Sequence, residues 1–338
     1  MELLESASIL PKDNPVKTRF DFVWETTPLS QGVENLVIDT VLSERHYGYM
    51  STEEEAEAKK QLSILQLHNG ENEALSWRMV LSLRKVLNDT DRTKSHHRVK
   101  RYGPQIVRQF NKGHSLVSIA KQLNTAPLDV GRVALSCRSL SKPQIRKILV
   151  DLEDAYEGER IKLGLRTGAS NINFSNETLS RLSRTHNLSQ TDILNLIDAI
   201  ACDIGGRANQ AKQEEHATRF EDLLCSYFCR FGVGFLTEDE LKRKNQILRK
   251  CVPTPDILFT DEVYINGEKC SWVDAKNFYG AGVYSMYRGK LREQASRFTA
   301  AYGNGALVFS RGFCDGLHIA GAQLLDCTDN AHLSFESE

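Results

Sequence analysis

The chain has 338 residues, 41% of them hydrophobic and 26% charged, with 22 Gly and only 8 Pro. That is the make-up of a folded chain with room for two domains, and it excludes a fibrous or disordered one. No apolar run approaches the roughly 20 residues of a membrane helix, and the opening MELLESASIL has no Lys or Arg to begin a secretory signal. The eight Cys are scattered without a C-x-x-C pair, a pattern of reduced thiols in a nuclear or cytosolic protein. Membrane, secreted and zinc-finger classes are set aside.

The overall charge of −1 hides a strong internal polarity. Residues 1–83 carry a net −7, residues 84–149 a net +12 and residues 150–338 a net −6. Clustered cations favour a polyanion, because each neutralised phosphate releases condensed counterions. The alternative is a solvated helical surface that binds nothing.

In chain order, residues 1–60 read as an acidic extension, broken by Pro11, Pro15 and Pro28 and carrying Glu53-Glu54-Glu55. Residues 61–168 read as a basic helical domain, with apolar residues at helical spacing in Leu81, Leu83, Val86 and Leu87, then in Ile106, Val107 and Phe110. Between those helices, Arg92 to Arg101 reads as a basic loop. Its adjacent His96 and His97 are a poor metal site among so many cations, and Arg98, Lys100 and Arg101 are candidate phosphate contacts.

His114 to Leu135 has helix-turn-helix spacing. Ile119, Ala120 and Leu123 begin an inner face, Asn124 suits a left-handed turn, and Pro127 opens a second helix with Val130, Val133 and Ala134 inside. Lys121, Arg132 and Arg138, with Asp129, are then expected on or near the outward surface, and the three cations are candidate DNA contacts. The same spacing occurs in plain three-helix bundles. Residues 169–210 read as a helical bridge, with Ser189 capping a helix through Asp192.

From residue 211 onward the period changes. Pro255 leads into a short strand Ile257-Leu258-Phe259. Val263-Tyr264-Ile265 and Cys270-Ser271-Trp272-Val273 flank Asn266-Gly267, a strong hairpin signal. The second arm continues into Asp274-Ala275-Lys276, whose two charged side chains share one face of a strand. Tyr287 to Ala301 reads as a helix, and Ala306–Phe309 and Leu317–Ile319 as strands.

An Asp before one strand and an Asp-x-Lys on the next have a mechanistic logic. Two carboxylates hold a hard cation such as Mg²⁺ through oxygen. The cation polarises a phosphoryl oxygen and lowers the pKa of a bound water. A nearby Lys orients or deprotonates that water and offsets developing negative charge. The bland alternative makes Asp274 and Lys276 a surface pair and Asp256 a turn residue, but the run Trp272-Val273 just before them is of a kind that is buried. Glu221, at an apolar-backed turn of an upstream helix, is the candidate third acid in preference to Glu214, Glu215 and Asp222. Gln294, near Arg297 and Phe298, is a candidate contact to the scissile strand.

Thr254-Pro255-Asp256, Asp274-Ala275-Lys276 followed by Phe278-Tyr279-Gly280, and Phe235 to Leu241 together resemble the codanin-interacting nuclease family of the PD-(D/E)xK superfamily. Gln294, Phe298 and Tyr302 to Val308 extend the likeness, which spans about Gly206 to Phe313. The resemblance implies an α+β fold: an all-helical N-terminal region with a helix-turn-helix and, over residues 211–338, a restriction-endonuclease-like α/β core with a mixed sheet. It implies an active site of Glu221, Asp256, Asp274 and Lys276, with Glu221, Asp256 and Asp274 on Mg²⁺ and Mn²⁺ as a substitute. It also implies a nuclear and cytoplasmic location and a codanin-like partner, and related nucleases often pair as homodimers. Asp274 stands where the family more often has Glu, and Lys242 to Lys250 is longer and more basic than in the family. The expected function is metal-dependent hydrolysis of DNA, docked by the basic helices. The competing expectations are a catalytically idle adaptor on the same fold and, more weakly, a transcription regulator.

Overall fold

The computed structural model describes residues 17–42, 48–69, 75–165, 172–205, 207–283 and 286–327. The opening ten residues and the first part of the segment read as a bridge, residues 169–171, lie outside them. In chain order the first elements are β1 (Arg19–Phe22), α1 (Gln31–Thr40), α2 (Thr52–Asn69), α3 (Trp77–Arg101), α4 (Gly103–Asn111), α5 (Leu116–Gln122) and α6 (Pro127–Ser136). They are followed by α7 (Lys142–Lys162), α8 (Asn176–His186), α9 (Gln190–Cys202), α10 (Arg207–Arg230), β2 (Phe235–Thr237) and α11 (Glu238–Leu248). The last are β3 (Ile257–Ile265), β4 (Glu268–Lys276), α12 (Met286–Tyr302), β5 (Gly305–Phe309) and β6 (Ala322–Asp326). None of the described helices is long and apolar enough to cross a membrane.

The chain divides into two compact units. One gathers residues 1–40, 62–86 and 215–338; the other gathers 41–61 and 87–214.

The second unit is helical, and its core runs from Val99 and Ile106 through Ile119, Val130 and Ile148 to Ile193 and Ala201. Within it α5 and α6 are joined by a short turn. Ser115 caps α5 by accepting the N–H of Ser118, Asn124 takes a left-handed φ of 45°, and Pro127 stands in the first turn of α6. The segment expected as a bridge, with α8 and α9, packs into this same core rather than leading away from it. The basic stretch Arg92 to Arg101 is no loop: it forms the last turns of α3. Ser95 and Val99, four residues apart, seat that part of the helix with 7% and 2% exposure.

The first unit is built on a six-stranded mixed sheet in the order β1-β3-β4-β5-β6, with β2 also on β3. β3 and β4 are antiparallel, whereas β4, β5 and β6 run parallel and β1 is parallel to β3. Asn266 and Gly267 both have positive φ (52° and 81°), as the tight turn between β3 and β4 requires. The two segments read separately as Ile257–Phe259 and Val263–Ile265 are one strand, with a register shift between Leu258 and Val263. Each face carries a layer. Phe220, Leu224 and Phe228 of α10 pack with Phe259, Val273 and Val308 on one side. Leu291, Ala295 and Phe298 of α12 pack with Leu258, Trp272, Leu307 and Phe309 on the other.

Two expectations change here. Residues 19–40 are not an appendage, since β1 adds a strand to the sheet and α1 ties down the loop after β4: the buried Glu34 carboxylate accepts the N–H groups of Gly282 and Val283 at 3.0 and 2.8 Å. Leu317–Ile319 is not a strand. Leu317 and Ile319 bury against the α12 layer as irregular chain, and pairing resumes only at β6.

Candidate active site

β3 and β4 bring the acidic residues together by register. Ile257 pairs with Val273 and Leu258 with Trp272, so Asp256, one residue before β3, stands across from Asp274. Alternation then sends Trp272, Asp274 and Lys276 to the face covered by α12. Trp272 anchors that row, fully buried against Phe298 at 5.0 Å, with its indole N–H donating to the Gly303 carbonyl at 2.8 Å.

Asp274 is only 2% exposed. One carboxylate oxygen, Oδ2, is ion-paired with the Lys276 ammonium, and Gln294 Nε2 approaches the other at 3.5 Å, the edge of hydrogen-bonding range. Asp256 Oδ2 accepts the backbone N–H of Ala275 at 2.7 Å. Glu221 comes from α10, in the opposite layer, and lies within electrostatic reach of Asp274 and Lys276. The structure therefore gathers Glu221, Asp256, Asp274, Lys276 and Gln294 at one end of the hairpin.

The electrostatics follow from burial and from like charges. Burial, then the neighbouring Asp274 charge, pushes Asp256 up to about 8 against the pull of Lys276. Burial also raises Asp274, opposed by Lys276 and by a hydrogen bond to Asp256. Glu221 is raised by burial, then by Glu238 and Asp274. These carboxyls hold protons that exposed ones release.

Such a donor set would suit a hard divalent cation, because neighbouring carboxylates partly withdrawn from solvent need positive charge to stay ionised. Glu221, Asp256 and Asp274 would hold it. Among the described residues no three His, Cys, Asp or Glu side chains already stand as a metal cluster, and the cation that Asp274 faces is the Lys276 ammonium.

Residues 185–330 match the family model described as "Protein of unknown function TPD sequence-motif". That span runs from the end of α8 to just past β6, so it contains Glu221, Asp256, Asp274, Lys276 and Gln294. An uncharacterized protein of Acanthamoeba polyphaga mimivirus is 36% identical over 112 residues, which cover 32% of this chain and 39% of that relative. No solved structure matches the chain.

The candidate DNA contacts all lie in the helical unit, outside the matched span, and they divide into two groups. Lys100, Arg101 and Lys121 are exposed, with no ion-pair partner among the described residues. The other three are engaged within the unit. Arg98 donates to the Leu123 and Asn124 carbonyls at 3.0 and 3.2 Å, closing the C-terminal end of α5. Arg132 bonds Asp129 at 2.8 Å. Arg138 grips Asp192 with two bonds of 2.8 and 3.1 Å and lies over the Phe110 ring, so it is not the outward residue that its spacing predicts. Arg92 is engaged as well, half-buried and bridging Asp129 and the fully buried Asp203.

Glu238 is a residue that the sequence reading missed. It opens α11, its backbone N–H donates to the Asp256 carbonyl at 3.2 Å, and its charge acts on both Glu221 and Asp274. Its signal was the capping box Thr237-Glu238-Asp239-Glu240, which marks a helix start just before the Thr-Pro-Asp motif.

Proposed function

We propose that the chain is a metal-dependent nuclease that hydrolyses phosphodiester bonds in DNA, on a restriction-endonuclease-like core with a helix-turn-helix in the helical unit. The observation that carries this reading is the convergence of half-buried Asp256 and buried Asp274 with Lys276 at the end of one hairpin. A carboxylate pair drawn together this far from solvent, with an adjacent ammonium, is costly as structure and useful as chemistry. The parallel β4–α12–β5 crossover, which brings Gln294 to Asp274, supports the fold assignment.

Glu221, Asp256 and Asp274 would hold magnesium or manganese, which when bound supplies Lewis-acid polarisation of the phosphoryl oxygen and an acidified water. The chain's own residues prepare the rest. The Ala275 N–H fixes the Asp256 carboxylate, and the Gln294 amide stands next to Asp274. Lys276 holds a proton at Nζ opposite the charge that develops on the phosphoryl oxygens, and it orients the attacking water. Lys100, Arg101 and Lys121 offer free ammonium and guanidinium groups to phosphates. From the family resemblance, a codanin-like partner, a homodimer and a nuclear and cytoplasmic location complete the proposal.

The Lys276–Asp274 ion pair itself favours a second reading. An ammonium that neutralises the central acid also suits a catalytically idle module that only binds DNA or recruits a partner. A screen of duplex, branched and single-stranded DNA and RNA with Mg²⁺, Mn²⁺ or chelator separates the two. The nuclease cuts at least one substrate in a chelator-sensitive way, and the Asp274→Ala protein does not. An idle module binds and cuts nothing.

A further inference from the structure

At the end of β5 the chain carries cations that the acidic centre does not use. The register pairs Phe309 with Lys276, and the Ser310 N–H donates to the Lys276 carbonyl at 3.0 Å. The Ser310 hydroxyl then bonds the Asn277 side chain at 2.8 Å, which fixes the turn that presents Arg311 two residues beyond Phe309. Arg311 is half-buried, and among the described residues neither it nor Arg78 has a carboxylate at ion-pair distance.

Arg78 stands on α3 over the loop after β4, whose Gly280 N–H donates to the Gly312 carbonyl, next to Arg311, at 3.0 Å. One turn further along that helix, Ser82 Oγ accepts the Tyr279 N–H at 2.8 Å, and Lys85 approaches the Tyr287 hydroxyl at 3.4 Å. The face Arg78-Ser82-Lys85 therefore runs along the loop that follows Lys276. The charges of Arg78 and Arg311 act on each other, and burial followed by Arg78 lowers the Arg311 pKa from its ordinary value. Two guanidiniums within electrostatic reach of each other and without an acid repel in the free protein. An anion placed between them removes that repulsion, and paired guanidiniums match the geometry of phosphate oxygens.

We propose that Arg311 and Arg78 form a phosphate site that docks the substrate backbone beside the Asp256–Asp274–Lys276 centre. This rests on the nuclease reading for its position along a substrate, although the anion site itself does not require cleavage. The ligand chemistry is a phosphodiester or a free or terminal phosphate group.

The test uses the full chain in chelator, so that nothing is cut. Phenylglyoxal modification of Arg311 and Arg78 is followed by peptide mass spectrometry, alone, with a short single-stranded oligonucleotide, and with inorganic phosphate at the same total phosphate concentration. Protection by the oligonucleotide alone marks a backbone site, and equal protection by inorganic phosphate marks a site for a free or terminal phosphate; both support the proposal. Oligonucleotide affinity is then measured against salt. Arg78→Gln and Arg311→Gln should each reduce the slope of log affinity on log salt by about one, with Arg311→Lys restoring most of it. Unchanged modification of the wild-type chain with either probe overturns the proposal, whether or not the variants fold. The two readings fail separately: protection without cleavage in any screen leaves the anion site standing and removes the nuclease, and cleavage without protection does the reverse.

Discussion

The Asp256 carboxylate accepts the Ala275 backbone N–H at 2.7 Å, so the acid before one strand is locked to the residue between Asp274 and Lys276 on the next. This single bond fixes the spacing of the candidate centre. Asp256→Ala should abolish chelator-sensitive cleavage while DNA affinity is kept or rises, since a negative charge near phosphate is gone. Lys276→Ala should slow cleavage by roughly 100-fold or more, the scale of a lost proton-transfer group. Initial rates beside filter-binding affinities check both.

The raised carboxyls make the protein's stability depend on pH and metal together. Folded Asp256 keeps a proton up to about 8, whereas an unfolded Asp releases it near 3.8. Between those values the folded state binds more protons, so its stability without metal falls as pH rises through that window and levels off above it. A cation that displaces the proton competes with it less at high pH. Mg²⁺ should therefore raise the melting temperature more at pH 9 than at pH 6; where it stands at a hundredfold excess over its dissociation constant, the stabilisation is about 2.7 kcal/mol. Asp274→Ala should erase the effect in a calorimetric scan.

Arg138 was expected to touch DNA and instead holds Asp192 at the first turn of α9. Arg138→Ala should cost the helical unit about 1 to 2 kcal/mol, allowing for the partial exposure of the pair. Burial pushes Asp192 up, but bonds from Arg138 and Ser189 outweigh it and hold the carboxyl below its usual 3.8. That contribution is present above the unfolded value and is lost as pH falls through the folded one. Urea melts at neutral and acid pH should show the variant's deficit shrinking in acid, while Lys100→Ala and Lys121→Ala weaken DNA binding without changing stability.

Gly305 tests the packing behind the centre. A Cβ there would stand 2.2 Å from the Trp272 ring, where nothing can yield without moving the row that carries Asp274. Gly305→Ala should destabilise the sheet unit by at least about 1 to 3 kcal/mol and lower cleavage with it. Thermal melting and activity of the same preparation measure both effects.

What the sequence made legible was whatever a short local rule controls. Asn266-Gly267 announced the hairpin, the alternation through Trp272 put Asp274 and Lys276 on one face, and Asn124 before Pro127 marked the turn between α5 and α6. What it concealed depended on distant partners. Arg19-Phe20-Asp21-Phe22 alternates as a strand should, but its neighbour is β3, more than 200 residues away. Arg92 to Arg101 reads as a basic loop, whereas Ser95 and Val99 seat it as a helix. Arg138 looked outward until Asp192 was beside it. Leu317–Ile319 is apolar because it is buried, which does not require a ladder. Glu238 enters the acidic cluster only because α11 begins beside Asp256.

The central claim is that these acids and Lys276 cut a phosphodiester. The most direct measurement is cleavage of a panel of duplex, branched and single-stranded substrates by wild type and Asp274→Ala, purified side by side, in Mg²⁺, Mn²⁺ and chelator. The account predicts product only with wild type and metal. Equal product from both proteins, or none from wild type on any substrate with either metal, contradicts it.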